Sequence, residues 1–145
     1  DDLSVDGRYK ELFENMGIKN TKQREIIFDV LSKSDVPITA DELFIKLKDM
    51  DTSINLSTIY RNLDMMCDKG IITKTIFMND DKARFEIKNT QHKHRLICIK
   101  CKRMVPIDDC PIEEFEKMLC KKTSFDITGH KLEIYGYCPK CKKTK

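Results

Sequence analysis

Two Cys-x-x-Cys pairs carry the chemistry most legible in this chain: Cys98 with Cys101, and Cys138 with Cys141. Four thiolates in two close pairs can complete a tetrahedral zinc site, at about 2.3 Å per sulfur. The long insert between the pairs must then fold back, so the ion would close a whole domain. Disulfides or idle thiols are the rival reading, and disulfides need an oxidising compartment. Seven cysteines is an odd number for a disulfide framework. Paired Cys-x-x-Cys motifs favour a reducing cytoplasm and zinc.

Two of the three histidines lie just ahead of the first pair, as His92-Lys93-His94. Leu96 to Ile99 reads as a strand, whose side chains alternate between faces. Carried back to His92, the strand puts His92, His94, Leu96 and Cys98 on one face. Lys93, Arg95 and Ile97 fall on the other. An His-x-His pair on one face suits a borderline-soft cation such as zinc. Two solvated histidines on a charged strand are the alternative.

The elements that must position these residues follow from periodicity and caps. Asp1 to Met16 predicts a helix with Val5, Tyr9, Leu12, Phe13 and Met16 at helical spacing, stopped by Gly17. Thr21 can cap a second helix to about Ser34, with Ile26, Ile27, Val30 and Leu31 inward. After Pro37, Thr39 begins a third helix to about Asp49, with Leu43, Phe44 and Leu47 inward. Ser57 caps a fourth, Thr58 to about Lys69, which buries Ile59, Leu63 and Met66. Its other face shows Thr58, Arg61, Asn62 and Asp64, with Tyr60 alongside. Ile71 to Met78 and Lys82 to Ile87 then form a hairpin about Asn79-Asp80-Asp81. Helices followed by such a hairpin predict a winged helix-turn-helix with the fourth helix as reader. Arg61 is a candidate base or phosphate contact; Ser57, Thr58 and Tyr60 are candidate phosphate contacts.

Residues 88–91 read as a polar hinge. Beyond it come short strands at about His92 to Ile99, Met104 to Ile107 and Asp126 to Tyr137. A helix of about Ile112 to Lys122 buries Ile112, Phe115, Met118 and Leu119. The expected organisation is α+β: a winged-helix DNA-binding domain over 1–87 and a small α/β metal-binding domain over 92–145, which the family resemblance these motifs carry makes the dimerisation domain. The chain has 145 residues, 40% hydrophobic and 35% charged, with a net charge of +3. That mild basicity permits nucleic-acid binding without demanding it. No apolar run reaches membrane-spanning length and no signal-peptide pattern appears, which points to a cytoplasmic protein without a membrane partner.

Taken together, these motifs resemble the ferric uptake regulator family of metal-responsive repressors. The resemblance rests on Gly17-Ile18-Lys19-Asn20-Thr21-Lys22-Gln23-Arg24, Ser57-Thr58-Ile59-Tyr60-Arg61-Asn62-Leu63 and Arg84-Phe85-Glu86. It continues through the His-rich strand into Cys98 and Cys101, Gly129-His130, and Tyr135-Gly136-Tyr137-Cys138. It implies a homodimer that binds double-stranded DNA at an A/T-rich inverted repeat and has no small-molecule substrate. Lys19 would reach the minor groove, and Tyr60 and Arg61 bases in the major groove. It also implies a structural zinc at Cys98, Cys101, Cys138 and Cys141. A second divalent metal, expected to be zinc, would sit at His92, His94, Glu113 and His130, with His130 on the last strand.

A third, bridging metal site of the family is not matched. Its positions fall on Pro37, Glu86, Lys93, Arg95 and Pro106, and of these only Glu86 could bind a metal. Lys93 or Arg95 is expected to pair with Glu86 in the metal's place. Cys67, Cys110 and Cys120 are read as packed thiols. His94 in place of an aspartate favours the zinc uptake regulator branch over iron or peroxide sensing. A regulator of the same fold that has lost metal sensing is a further reading. A zinc hydrolase would need an open zinc position, and four protein ligands at each site leave none.

Overall fold

The computed structural model describes residues 5–51, 53–88 and 94–144, with the backbone alone at 5–9. Contacts divide the chain into two compact units, Asp1–Lys88 and Asn89–Lys145. Most of the expected hinge, together with His92 and Lys93, lies outside the described residues.

The first unit runs α1 (Val5–Asn15), α2 (Lys22–Lys33), β1 (Ile38–Thr39), α3 (Ala40–Lys48), α4 (Leu56–Asp68), β2 (Ile72–Thr75) and β3 (Arg84–Ile87). Thr21 caps α2, its hydroxyl accepting from the Arg24 N–H at 3.2 Å. Thr39 caps α3 in the same way, accepting from the Glu42 N–H at 3.1 Å. Such a cap contributes about 1 kcal/mol. The α4 cap is Asn55 rather than the expected Ser57: Asn55 Oδ1 accepts from the Thr58 N–H at 2.8 Å. The helix therefore begins two residues earlier than the sequence suggests, and Ser57 sits in its first turn. Gly70 ends it at φ +77°, and the Ile71 N–H reaches back to the Met66 carbonyl at 3.0 Å. A left-handed C-terminal residue of this kind favours glycine.

The faces that these caps orient make one core. Phe13, Ile27, Leu43, Leu47, Ile59, Leu63 and Met66 are all fully buried. Asn62, expected on the exposed face of α4, is buried among them. The sheet order is β1-β3-β2, with both pairings antiparallel. The short β1 was not foreseen, because Pro37 and Thr39 read as break and cap.

The wing is fixed by a charge pair. Arg84 Nε donates to Asp80 Oδ2 at 2.7 Å, and the two side chains are only 9% and 5% exposed. Arg84 Nη1 also lies 3.5 Å from Glu42 Oε1 on α3. Breaking one side of a buried pair strands the other charge, at a cost of about 3–5 kcal/mol.

The second unit runs β4 (His94–Cys98), β5 (Met104–Ile107), α5 (Glu113–Thr123) and β6 (Glu133–Gly136). β4 is central, antiparallel to β5 and parallel to β6. The last strand is much shorter than the sequence suggests: residues 126–132 are irregular. Leu96 faces Val105 on one side and Ile134 on the other. The three form an apolar row, 43%, 41% and 45% exposed. Helix α5 buries nothing within the single chain; Phe115 and Met118, expected inside, are exposed. The amphipathic pattern identifies an apolar face without saying what covers it.

Asp80→Ala is expected to lower the stability of the N-terminal unit by about 3 kcal/mol or more. Urea unfolding followed by helical circular dichroism would measure this, with Lys82→Ala, whose partner Asp41 is exposed, as a near-neutral control.

Candidate metal centres and reading helix

Strand β4 carries a cluster of donor atoms at each end. At its C-terminal end Cys98 meets Cys101, Cys138 and Cys141, whose sulfurs all lie within 4.8 Å of one another. The parallel pairing of β4 with β6 causes this, since Cys98 stands opposite Gly136. The second Cys-x-x-Cys turn is thereby delivered beside the first. Cys101 and Cys138, separated by 37 in sequence, have their sulfurs 3.8 Å apart. A tetrahedron with metal–sulfur bonds of about 2.3 Å has edges of about 3.8 Å. The thiols thus fit a tetrahedral metal.

The backbone is already arranged to receive thiolates. N–H groups of Cys101 and Cys138 point at Cys98 and lower its pKa to about 6. The N–H of Cys141 lowers that of Cys138 in the same way. Cys141 is pushed up to about 12, by desolvation and then by the neighbouring sulfurs.

At the other end of β4, His94 Nε2 lies 3.3 Å from Cys110 Sγ and 3.1 Å from His130 Nε2. Cys110 Sγ lies 3.2 Å from His130 Nε2, which closes a triangle. The two imidazoles stack with centroids 4.9 Å apart. His130 Nδ1 contacts Glu116 Oε1. Here the geometry differs from the ligand set expected from sequence. Glu113, at the start of α5, is exposed and outside the cluster; the carboxylate against His130 is Glu116, about one turn on. Cys110, read as a packed thiol, stands between the histidines. His130 lies in the irregular segment ahead of β6 rather than on the strand. His92 lies outside the described residues.

The positions of the unmatched third site are placed separately in the two units. Pro37 is buried, and Glu86 is opposite Thr73 on β2. Arg95 is buried on β4, opposite Pro106 and Glu133. Lys93 lies outside the described residues.

In the N-terminal unit, Ser57, Tyr60 and Arg61 are exposed along the first turns of α4, and Lys19 is exposed ahead of α2. Thr58 is half-buried, and its hydroxyl is already used. It donates to Asn55 at 3.0 Å and accepts from Arg61 Nη2 at 3.3 Å. Sequence reasoning missed Arg24. Its Nε donates to Asn62 Oδ1 on α4 at 2.9 Å, and its Nη1 to the Lys19 carbonyl at 2.8 Å. One guanidinium thus ties the Lys19 segment to the candidate reading helix. Only its place in the Gly17 to Arg24 motif marked it.

The pattern of the ferric uptake regulator family matches residues 15–135. The chain belongs to that family. The peroxide-responsive repressor PerR of Staphylococcus epidermidis is 34% identical over 143 residues, 97% of this chain and 94% of its own. The ferric uptake regulation protein of Campylobacter jejuni is 29% identical over 140 residues, 95% of this chain and 88% of its own. The solved ferric uptake regulator of Helicobacter pylori superposes with a TM-score of 0.80, at 24% identity, over 96% of this chain and 92% of that one. These matches identify a metal-responsive transcription regulator, not an enzyme, and the superposition shows the same α+β fold. Among the described residues, no helix is long and apolar enough to cross a membrane.

The thiol arrangement gives a testable proton balance. At neutral pH Cys98 is already mostly thiolate, whereas Cys141 must lose its proton to bind a metal. Zinc binding to the stripped protein should therefore release protons. The number released per ion should rise as pH falls through about 6, and apparent affinity should fall. Calorimetry in buffers of different ionisation enthalpy would measure both.

Proposed function

We propose that this regulator is a zinc-responsive homodimeric repressor, acting in the cytoplasm on A/T-rich inverted-repeat operators. The observation that carries the reading is the donor chemistry of the C-terminal unit. Its two clusters gather four thiols, and two imidazoles with one thiol. Thiolate and imidazole suit zinc, whereas manganese favours oxygen donors. In this reading the four-cysteine centre holds a structural zinc and the His94/His130 centre a regulatory one. His92 remains a further ligand that the family resemblance implies, whereas Glu113 is exposed and outside the cluster. Iron or peroxide response is the second reading, favoured by the named functions of the Campylobacter and Staphylococcus relatives.

The exposed row of Leu96, Val105 and Ile134, with Phe115 and Met118 on α5, supports a second copy as partner. Burying one apolar face against its own equivalent is the usual route to a two-fold dimer. Such a dimer presents two reading helices to two half-sites. Ser57, Tyr60 and Arg61 would then meet the major groove, with Thr58 holding Arg61 in place. Lys19 would reach the minor groove.

The decisive experiment strips the second ion, keeps the structural one, and measures metal content by mass spectrometry. Operator affinity is followed in parallel, on an inverted repeat selected from random duplexes. Zinc should restore binding by about 5–150-fold, the usual span of allosteric coupling. Unchanged affinity would assign the chain to a regulator that no longer senses metal; restoration by iron(II) alone would favour the second reading. For the DNA contacts, Arg61→Ala should cost about 1–3 kcal/mol and relax specificity at one base pair per half-site. Binding equal to the parent across several salt concentrations would remove α4 from the interface.

A further inference from the structure

We propose that Cys110 is a thiolate ligand of the second centre, with His94 and His130, and that Glu116 orients His130 from behind instead of binding the ion. The inference rests on the second centre being the regulatory metal site, and names its ligand chemistry.

Three distances carry it. The Nε2 of His94, the Nε2 of His130 and the Cys110 sulfur stand 3.1, 3.2 and 3.3 Å apart in pairs. Hydrogen bonding does not account for all three edges: with the His130 proton held at Nδ1 by Glu116, at most the thiol proton and a His94 Nε2–H are available for them. A single cation satisfies all three atoms together. With bonds of about 2.0–2.1 Å to nitrogen and about 2.3 Å to sulfur, a tetrahedral zinc needs N···N edges of about 3.3 Å and N···S edges of about 3.6 Å. The observed edges are slightly shorter, as expected for donors that a metal would spread a little. Pro111 follows Cys110 directly, and its ring restricts the backbone that carries the thiol.

The carboxylate supports the same assignment. Glu116 Oε1 contacts His130 Nδ1, the nitrogen turned away from the triangle. A carboxylate there takes the Nδ1–H, fixes the tautomer and leaves Nε2 free to bind. Glu113 is exposed and outside the cluster. An expected oxygen donor is thus replaced by sulfur, and the remaining acid stands one step further out. The centre is softer than three imidazoles and a carboxylate would be. It should discriminate more strongly for zinc against manganese and iron(II).

Cobalt(II) is the probe, because a thiolate ligand gives it a sulfur-to-metal charge-transfer band that imidazole and carboxylate do not. Full-length protein is prepared with zinc retained at the four cysteines, checked by mass spectrometry, and titrated with cobalt. The parent should show the charge-transfer band as the second centre fills. Cys110→Ser should lose the band and lose zinc affinity more steeply than manganese affinity. Glu116→Gln should keep the band and bind about 10–100-fold more weakly, as for loss of a supporting carboxylate. A parent spectrum without the band overturns the proposal whether or not the variants fold. So does a band that survives Cys110→Ser. An unchanged affinity in Glu116→Gln removes the orienting role. Operator binding separates the two readings. A thiolate band without a DNA response refutes metal sensing and keeps the ligand assignment; a DNA response without the band does the reverse.

Discussion

Four sulfurs gathered at one point repel one another once ionised, so the proposed structural ion would be what makes the C-terminal unit cohere. The apolar inventory shows how much depends on it. The continuous core cluster lies wholly in the N-terminal unit. Among the described residues of the C-terminal unit, the buried set comprises His94, Arg95, Ile97 and Cys98, and α5 contributes nothing. A unit this small buries too little apolar surface to hold its shape unaided. The proposed metal coordination and second copy would supply what the core lacks.

Strand β4 is the shared beam. Its alternation puts His94, Leu96 and Cys98 on one side. The two ends of that side enter the two donor clusters, while the middle is exposed. Leu96 belongs to the row offered to a second copy. The distance from His94 to Cys98 along the strand is only about 13 Å. Filling either centre stiffens the strand that also presents the apolar face. In the proposed dimer, metal occupancy and assembly would be linked through this one short element.

Local signals were legible in the sequence, and choices between near neighbours were not. Thr21 and Thr39 stand out as caps because the hydroxyl, the helix start and the apolar stripe lie within a few residues. The meeting of Cys98, Cys101, Cys138 and Cys141 was legible because each pair is local and four sulfurs share one use. Asn55 and Ser57 are both residue types that fit a helix cap, and the structure has Asn55 accepting from the Thr58 N–H. Glu113 and Glu116 are three residues apart, so they share a helix face. Which one meets His130 depends on the irregular path of residues 126–132, where periodicity gives no guide. Cys110 sits in a loop for the same reason. The pattern of α5 marked an apolar stripe, but the burial expected of Phe115 and Met118 does not occur within the single chain.

The parallel pairing of β4 with β6 has a kinetic consequence. Their cysteines meet across 37 positions of chain. Parallel strands cannot be joined by a tight turn, and contacts between distant residues form late. The N-terminal unit is dominated by helices whose turns form rapidly from local contacts. In a newly made chain the N-terminal unit therefore matures first, while the C-terminal unit waits for its two halves to find each other. If zinc closes that unit as proposed, a shortage of zinc would lengthen the wait and leave unpaired N-terminal units able to meet only one half of an inverted repeat. Under that proposal scarcity would act on the regulator at birth as well as at equilibrium.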